Sequence, residues 1–412
     1  MNAVNLSPAR SICVARQPIF DRRRRLFGYE LLFREGIDTL VSGQCGDAAT
    51  PSLLLNTYAE IGLDRIAGEH KIFVNFTGEN LTSGLPRLFP AERLVVELLE
   101  DVEPDADIVE AWITLARDGY LCALDDFVYH PRFEPLIEAT HIVKLDFMES
   151  SDDDIVAMAK DLGGRGKVLL AEKVESKEDW TRAVDLGCSL FQGFFFSKPE
   201  VISTTGMQSL KVHLLEILAE LGGDDYNLGR VEKLLARDVA TSYKLLRYIN
   251  SAALRTTQRV TSIRHAVTFL GRDSFRRFVA LILSSDLGTD KPFELVRLAL
   301  VRARFCERVA PVTVRDSEFF LLGLCSLLDA LLDQPMDEIV RQLPLPEYLL
   351  DALKGRHPYH GFIRLIQAFE RGDWDTVSDL ASELDVSEEQ VGEAYLEAIA
   401  WSDELAKVPV AA

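Results

Sequence analysis

Several polar side chains lie within or at the ends of short apolar segments in the first half of this 412-residue sequence. The segments are rich in Val, Ile, Leu and Phe, as is typical of strands that are buried on both faces of a sheet. A buried carboxylate without a partner is costly, so these polar residues need a shared explanation. They are Glu30, Asn75, Glu97, Asp125, Asp126, Lys144, Glu172 and Gln192.

The types of these residues predict a site for divalent cations. Several carboxylates close together repel one another, and a divalent cation relieves the repulsion. The donor atoms are oxygens, which select Mg²⁺, Mn²⁺ or Ca²⁺ over softer metals. Two such ions could activate a bridging water and bind phosphate oxygens, as phosphodiester hydrolysis requires, and Lys144 could orient that water.

Each residue also has a simpler explanation when it is considered alone. Asp125 or Asp126 could cap a turn, and Asn75 could be a turn residue. Lys144 could form only an ion pair at the rim. The pattern extends over six strands, however, which favours one shared metal-dependent site.

The elements that would position these residues alternate between strands and helices. Apolar segments such as KIFVNF and LVVELLE are separated by stretches such as DADIVEAWITLARDGY, whose apolar residues recur at helical spacing. This alternation predicts a parallel α/β fold, and eight candidate strands favour a TIM-like (β/α)₈ barrel. The carboxyl ends of such strands open on one face, where the polar residues would meet.

The strands stop after Pro199, and the rest of the sequence predicts ten helices and therefore an all-α domain. Ser387 and Gln390 have the spacing of a capping box at the start of the last helix. The stretch SKPEVISTTG has no helical period, which indicates a domain boundary. We therefore predict an α/β domain over residues 1–203 and a helical domain over residues 204–405.

The composition argues against several classes of protein. Lys and Arg number 45 against 65 Asp and Glu, and the formal net charge of −20 argues against nucleic acid as a partner. No apolar run reaches the ~18 residues that span a bilayer, and the first residues lack the apolar core of a signal peptide. The six cysteines are far apart without a CxxC motif, which predicts buried free thiols in a cytoplasmic protein.

Seven motifs resemble, in order, those of the EAL domain, a family of cyclic-di-GMP phosphodiesterases built on a TIM-like barrel. They are GYELLFR (28–34), VNFT (74–77), VELLE (96–100), LDDF (124–127), VKLD (143–146), AEKVE (171–175) and FQGFFFSKP (191–199). The resemblance covers about residues 10–200. It implies a metal-dependent hydrolysis of cyclic di-GMP to the linear dinucleotide.

The resemblance also implies a role for each matching residue. One or two Mg²⁺ or Mn²⁺ ions would be bound by Glu30, Asn75, Glu97, Asp125, Asp126 and Glu172. The catalytic residues would be Lys144, which orients the attacking water, Glu97, and Glu172, a metal ligand or general base. The residues implied to contact the dinucleotide or fix its surroundings are Gln17, Arg34, Gln192 and Pro199. Loop support is implied for Glu100 and Glu175.

The sequence departs from the EAL pattern at three places. Glu-Leu-Leu replaces Glu-Ala-Leu and keeps the glutamate. DDFVYHPRFEP replaces the usual DDFGxGxSS loop, so positive-φ turns available to Gly are lost. REGIDTLVSGQCGDAATPS replaces the helix that usually carries a PxxFIxxAE pattern. These changes predict an altered catalytic rate and altered dimer regulation more than a loss of metal binding, and a homodimer stays compatible with the resemblance.

Four motifs in the second half resemble the HDOD domain, a helical relative of the HD phosphohydrolases that lacks their metal ligands. They are SYKLLRYINSAAL (242–254), SIRHAVTFLG (262–271), EFFLLGLCSLLDALLDQP (318–335) and FERGDW (369–374). None of the seven His is followed by Asp, so the sequence has no HD dipeptide. The resemblance implies a regulatory module that binds a signalling protein, and the EAL–HDOD order resembles that of YuxH-type signalling proteins.

Three functions are compatible with these observations. The retained acids favour an enzyme that hydrolyses cyclic di-GMP. The altered DDF loop favours a catalytically weak or inactive barrel that senses the dinucleotide, and a third alternative is a protein-interaction scaffold. An assay for the linear product in the presence of Mg²⁺ or Mn²⁺ separates the enzyme from the other two.

Overall fold

The computed structural model of the protein describes fifteen parts of the chain: residues 12–35, 62–99, 102–125, 129–147, 152–193, 220, 227–236, 265, 271, 275, 293–311, 316–332, 334–341, 343 and 345–406. The chain divides into two compact units. The first comprises Met1–Phe195 with Ala368–Asp375, and the second comprises Phe196–Gln367 with Thr376–Ala412.

Eight strands of the first unit form a closed barrel in which each strand pairs with the next along the chain. The strands are β1 (Ile12–Asp21), β2 (Leu26–Glu35), β3 (Lys71–Phe76), β4 (Leu94–Leu98), β5 (Leu121–Leu124), β6 (Ile142–Asp146), β7 (Val168–Glu172) and β8 (Leu190–Gln192). The eight predicted strands and the TIM-like barrel are therefore confirmed.

The direction of β1 differs from the predicted parallel arrangement. β1 runs antiparallel to both of its neighbours, β2 and β8, whereas β2 to β8 are parallel to one another. The connection to β2 is a tight turn in which Asp21 Oδ1 accepts hydrogen bonds from the backbone N–H groups of Arg23 (2.8 Å) and Arg25 (2.9 Å). Such a short turn can only reverse the chain, because a parallel neighbour requires a crossover connection.

Helices connect the parallel strands of the barrel. They are α1 (Leu63–Ala67), α2 (Gly78–Thr82), α3 (Ala106–Arg117), α4 (Glu134–Ala139), α5 (Asp152–Gly164) and α6 (Lys177–Asp185), with short 3₁₀ helices at Leu85–Leu88 and Pro131–Phe133. The side chains of Thr77, Asp105 and Ser176 cap α2, α3 and α6 by accepting backbone N–H groups of the first turn. Each such cap contributes about 1 kcal/mol.

Side chains inside the barrel form an apolar layer below a polar layer. The apolar layer is one buried cluster of Ile19, Phe73, Val95, Ala123, Ile142, Leu170 and Leu190. Successive side chains of a strand point to opposite faces, so a residue two positions away lies in the next layer. On or directly after β3 to β8 these residues are Asn75, Glu97, Asp125, Lys144, Glu172 and Gln192. On β1, which runs the other way, the corresponding residue lies two positions earlier and is Gln17.

β2 contributes Glu30 to the polar layer and a glycine to the layer below it. A Cβ on Gly28 would lie 2.7 Å from the carbonyl oxygen of Lys71 and 3.2 Å from Cε2 of Phe73. The missing side chain therefore leaves the space that the Phe73 ring occupies beneath Glu30.

The helices whose bounds lie within the described residues after Gln192 are α7 (Leu228–Ala236), α8 (Phe293–Arg308), α9 (Asp316–Cys325), α10 (Leu328–Leu332), α11 (Met336–Ile339), α12 (Glu347–Leu353), α13 (His360–Arg371), α14 (Trp374–Glu383) and α15 (Glu388–Ala406). The described residues after Gln192 contain no strand, as predicted. α8 packs against α9 and α15. A Cβ on Gly323 of α9 would lie 2.5 Å from the carbonyl carbon of Arg302, so this glycine permits the close approach of α9 to the α8 backbone.

Two details of the helical prediction have opposite outcomes. The capping box is confirmed, because Ser387 N donates to Gln390 Oε1 (2.9 Å) and Gln390 N donates to Ser387 Oγ (3.2 Å). The single helix predicted over 316–333 is wrong, because α9 and α10 are separated at Ser326, whose Oγ donates to the Gly323 carbonyl (2.7 Å) and competes with the helical ladder. Most of each predicted helix over 207–221, 228–252 and 262–285 lies outside the described residues. Within the last of them His265 and Phe275 are helical, but Gly271 has a φ of 76° and is not, so a single helix over 262–285 is wrong.

The cysteines of the described part of the chain are buried and free, as predicted: Cys13, Cys122, Cys188, Cys306 and Cys325. Burial raises the pKa of the Cys122, Cys188 and Cys325 thiols to about 12, so they stay protonated near neutral pH. The sixth, Cys45, lies outside the described residues. Among the helices that are described, none combines the length and the hydropathy that a membrane crossing needs.

We expect Gly193→Ala to destabilise the barrel more than Gly166→Ala. Both glycines have a positive φ, 140° and 75°, so each substitution adds about 1–3 kcal/mol of backbone strain. At Gly193 the new Cβ would also collide with the carbonyl oxygen of Val174, whereas nothing lies within 4 Å of the Cβ at Gly166. Gly193→Ala should therefore cost roughly 1–3 kcal/mol more in unfolding free energy, measured from urea midpoints of the full-length variants. Equal midpoints would contradict the close approach of the β7 and β8 ends.

Candidate metal-dependent active site

The polar layer of the barrel gathers most of the predicted site residues. Glu30, Asn75, Glu97, Asp125, Lys144, Glu172 and Gln192 are all buried, with at most 9% of their surface exposed. Asn75 and Glu97 are partners in the β3–β4 register, and Glu30 is the register partner of Gln17 across β1 and β2. The strands of the barrel therefore bring these residues together at one end of its interior.

Lys144 lies at the centre of this layer and is fully buried. Its Nζ is within ion-pair distance of four carboxylates: Asp125 Oδ1 (2.6 Å), Glu172 Oε1 (2.7 Å), Glu97 Oε1 (3.1 Å) and Glu30 Oε1 (3.4 Å). Burial alone would lower the pKa of Lys144, but the four carboxylates outweigh it and raise the pKa well above its usual value. Lys144 is therefore held in its protonated, positively charged form.

Glu97 is the most deeply buried acid of the site. Burial raises its pKa well above the usual value, the nearby Glu30 and Asp125 carboxylates add to this rise, and Lys144 opposes it. Although Lys144 Nζ is near Oε1, neither oxygen of Glu97 has a hydrogen-bond partner of acceptable geometry. One ammonium ion therefore does not satisfy this carboxylate.

Other buried acceptors of the site are also without a partner, namely Asn75 Oδ1 and Gln192 Oε1. Buried polar atoms in folded proteins are normally paired, so a group of buried oxygens without donors fits the coordination of a cation. Carboxylate oxygens of Glu30, Glu97 and Asp125 all lie within 4.8 Å of one another. Together with Asn75 Oδ1, these hard oxygen donors fit a divalent cation of the Mg²⁺, Mn²⁺ or Ca²⁺ class.

Two side-chain amides orient the Glu30 carboxylate. Asn75 Nδ2 donates to Glu30 Oε1 (3.3 Å). Gln192 Nε2 donates to Glu30 Oε2 in a close contact and to Gln17 Oε1 (2.9 Å). The resemblance to the EAL domain implies that Gln17 and Gln192 contact the dinucleotide or fix its surroundings. In the structure they hold a candidate metal ligand in place.

The remaining predicted residues are separate from this cluster or lie beyond it. Asp126, Glu100 and Pro199 are outside the described residues. Arg34 is on β2 opposite Cys13, four residues beyond Glu30. Glu175 is exposed in the turn before α6, where its backbone N–H donates to Asp179 Oδ2 (3.2 Å).

Asp146 and Lys173 lie next to the polar layer, and the sequence analysis did not single them out. Asp146 ends β6, is 4% exposed, and has Glu172 as its register partner on β7. Lys173 follows Glu172 with a φ of 51°, and its Nζ forms a close ion pair with Asp146 Oδ2. The two-residue spacing between Lys144 and Asp146 is the sequence signal that places both on one face of the strand.

Two family profiles match the chain. The EAL domain matches residues 56–199, and the HDOD domain matches residues 207–329. The β1–β2 hairpin, with Gln17 and Glu30, precedes the first match. The place of Glu30 in the site therefore rests on the strand register and its contacts.

Known proteins resemble the chain over nearly its whole length. It is 36% identical over 405 residues to YuxH of Bacillus subtilis, covering 96% of this chain and 98% of that protein. It is 37% identical over 399 residues to the cyclic di-GMP phosphodiesterase CdgJ of Vibrio cholerae, covering 95% of this chain and 92% of CdgJ. Among solved structures, the Bacillus subtilis YkuI protein, with an EAL domain and in complex with cyclic di-GMP and calcium, is 17% identical, with a TM-score of 0.38 over 63% of this chain and 73% of that one. The chain therefore belongs to the same family as YuxH and CdgJ, and it carries an EAL domain followed by an HDOD domain.

Proposed function

We propose that the barrel hydrolyses one phosphodiester of cyclic di-GMP, giving the linear dinucleotide, with Mg²⁺ or Mn²⁺ as cofactor. The observation that carries this proposal is the buried cluster of four carboxylates around Lys144, with acceptor oxygens that the lysine leaves unpaired. The identity to CdgJ, a cyclic di-GMP phosphodiesterase, supports the substrate.

The charge of the site supports a requirement for divalent cations. If all four carboxylates and Lys144 are ionised, they leave three net negative charges, which would repel an anionic phosphodiester. One divalent cation leaves one negative charge, and two make the site positive. Binding of the substrate and its hydrolysis would therefore both depend on the cation.

The cation would be held by Glu30, Asn75, Glu97 and Asp125. A divalent cation bound there lowers the pKa of water and offsets negative charge on phosphate oxygens. The residues of the chain supply orientation and proton transfer, because they lie in a buried layer with little freedom to move.

Lys144 and Glu172 would act on the attacking water. The Glu172 carboxylate is fixed by its ion pair with Lys144 Nζ (2.7 Å) and would accept a proton from the water. Lys144 would donate hydrogen bonds to the attacking oxygen as it forms a bond to phosphorus. The bond from phosphorus to the ribose oxygen breaks, and solvent protonates the released oxygen.

The helical domain would act as a regulatory or partner-binding module rather than as a second hydrolase. This proposal is supported by the HDOD match and by the lack of an HD dipeptide anywhere in the sequence. The partner class that fits a fused signalling module is another signalling protein.

A second candidate function is a cyclic di-GMP sensor with little hydrolysis. The loop after Asp125 favours it, because this loop lacks the glycines of the EAL pattern and its described part makes contacts of its own. Tyr129 donates to Glu134 Oε1 (2.8 Å), and Arg132 forms an ion pair with Glu103 (2.7 Å). Incubation of the full chain with cyclic di-GMP and Mn²⁺ separates the two functions, because only the enzyme yields the linear dinucleotide.

Glu97→Gln should weaken cation binding without destabilising the cation-free protein. The variant removes a ligand charge, so we expect at least a roughly tenfold rise in the Kd for Mn²⁺ by titration calorimetry. The exposed control Glu110→Gln should bind like the wild type. Because the pKa of Glu97 is raised, protons compete with the cation, and wild-type affinity should increase with pH more steeply than that of Glu97→Gln. Unchanged Mn²⁺ affinity in Glu97→Gln would remove Glu97 from the site.

Lys144→Met should lower kcat by about 10²- to 10³-fold, because it removes the hydrogen-bond donor for the attacking oxygen. The Kd for Mn²⁺ should not rise, since the variant also removes a competing positive charge from the four carboxylates. The exposed Lys160→Met is the matched control. A kcat within a few-fold of the wild type would exclude Lys144 from catalysis.

We expect turnover to rise when residues 128–132 are exchanged for Gly-Thr-Gly-Tyr-Ser. The exchange restores the glycines of the EAL loop and keeps the buried Phe133. We expect an increase of roughly tenfold or more, because a small misplacement of a catalytic group is expensive in rate. Steady-state kinetics at saturating Mn²⁺ measures this. A chimaera that folds but is no faster than the wild type contradicts the prediction that the altered loop lowers the rate.

A further inference from the structure

The turn between α13 and α14 belongs to the FERGDW motif (369–374), for which the proposed chemistry gives no role. The motif lies beyond residue 329, where the HDOD match ends. Ala368–Asp375 belong to the same compact unit as the barrel strands. The contacts of this turn are therefore those of the barrel unit itself.

The backbone of the turn is well fixed. Gly372 N donates to the Phe369 carbonyl (3.1 Å), and Asp373 N donates to the Ala368 carbonyl (3.0 Å), which together form a Schellman motif at the end of α13. Gly372 has the positive φ (70°) that this motif requires. The rings of Phe369 and Trp374 pack edge to face with centroids 5.2 Å apart, which closes the turn on its other side.

The turn contacts the two strands that carry Gln17 and Glu30. A Cβ on Gly372 would lie 2.7 Å from Cδ1 and 3.3 Å from Cβ of Leu32, so only a glycine fits against this side chain without displacement. Leu32 is two residues beyond Glu30 on β2 and therefore on the same face of the strand. Next to it, the Arg371 carbonyl oxygen accepts a hydrogen bond from Gln17 Nε2 (3.3 Å).

The hydrogen bond to Arg371 sets the direction of a chain of amides. A glutamine amide has donors at one end and an acceptor at the other. With Nε2 on the Arg371 carbonyl, Gln17 must present Oε1 to Gln192, whose Nε2 donates to it (2.9 Å) and also to Glu30 Oε2. If the Gln17 amide were rotated by 180°, its NH₂ group would face the NH₂ group of Gln192. Gln192 would then lose the hydrogen bond that holds it against Glu30.

We propose that the Arg371–Gly372 turn is a positioning element of the active site. It fixes the orientation of Gln17 and Gln192, and through them the carboxylate of Glu30, a ligand of the proposed cation. The inference rests on the proposed function for its catalytic consequence, but not for its effect on cation binding. A partner that displaces the turn would lower the affinity of the barrel for its cation, so the turn is a point at which activity can be regulated.

Two variants of the full-length protein test the turn from opposite sides. Gly372→Ala strains the turn and crowds Leu32, and Leu32→Phe crowds Gly372 while leaving the turn sequence intact. Gly355→Ala is the matched control, because Gly355 also has a positive φ (75°) but its Cβ would meet only His360 at 3.7 Å or more. Circular dichroism and thermal melting show whether each variant is folded.

Calorimetric titration with Mn²⁺ is the primary measurement. We expect Gly372→Ala and Leu32→Phe each to raise the Kd roughly three- to tenfold, less than the tenfold or more typical of a group bonded directly to a ligand. Gly355→Ala should leave the Kd unchanged. Hydrolysis should fall at low Mn²⁺ and recover at saturating Mn²⁺, which a general loss of folded protein would not produce. Gly372→Ala combined with Leu32→Ala should regain part of the affinity, because the smaller side chain relieves the crowding.

The outcomes separate this inference from the proposed function. Wild-type protein that binds Mn²⁺ without producing linear dinucleotide overturns the function alone, and the changes in Kd still test the turn. Folded Gly372→Ala and Leu32→Phe variants with wild-type Kd values overturn the turn proposal alone. Wild-type protein that binds no Mn²⁺ overturns both.

Discussion

The ion pairs of one buried lysine with four carboxylates are the interaction on which the site depends. Without a cation, Glu30, Glu97, Asp125 and Glu172 would repel one another in a layer from which water is largely excluded. Lys144 allows the acids to stay together, because its ammonium ion is close to all of them. One positive charge nevertheless does not balance four carboxylates, and neither oxygen of Glu97 accepts a hydrogen bond from the described residues. The arrangement is therefore stable enough to fold and still able to bind more positive charge.

The barrel supplies this arrangement through the simple period of its strands. The cluster around Phe73, Val95 and Leu170 fills the layer below, so the polar side chains rest on an apolar floor. Burial of that floor stabilises the barrel by about 25 cal/mol for each Å² of apolar surface removed from water. The cost of gathering acids above it is thus met by packing in the same strands.

Much of this fold could be predicted from the sequence, because buried strands and polar residues at their ends are local patterns. The eight strands and the gathering of Asn75, Glu97 and Lys144 follow from such patterns. The antiparallel direction of β1 could also have been predicted, because the four-residue connection between β1 and β2 is too short for a parallel crossover. The break between α9 and α10 was harder to predict, because the apolar residues keep a continuous helical spacing there. The break depends instead on a hydrogen bond of the Ser326 side chain.

The pairings across the site could not be predicted in the same way. Sequence period assigns residues to a face, but it does not give the register between strands or the distances across a barrel. The contact between Gln17 and Arg371 joins residues 354 positions apart, and no local pattern encodes it. Glu175 shows that a residue within a family motif need not join the buried cluster, because its side chain is exposed.

The antiparallel direction of β1 determines on which side the chain enters and leaves the barrel. β1 starts, and β8 ends, at the face that carries the site, since β1 is antiparallel to β8. The chain therefore enters the first strand and leaves the last strand on the same side of the barrel. The opposite face of the barrel carries neither of these two strand ends, so both lie on the side of the proposed cation site.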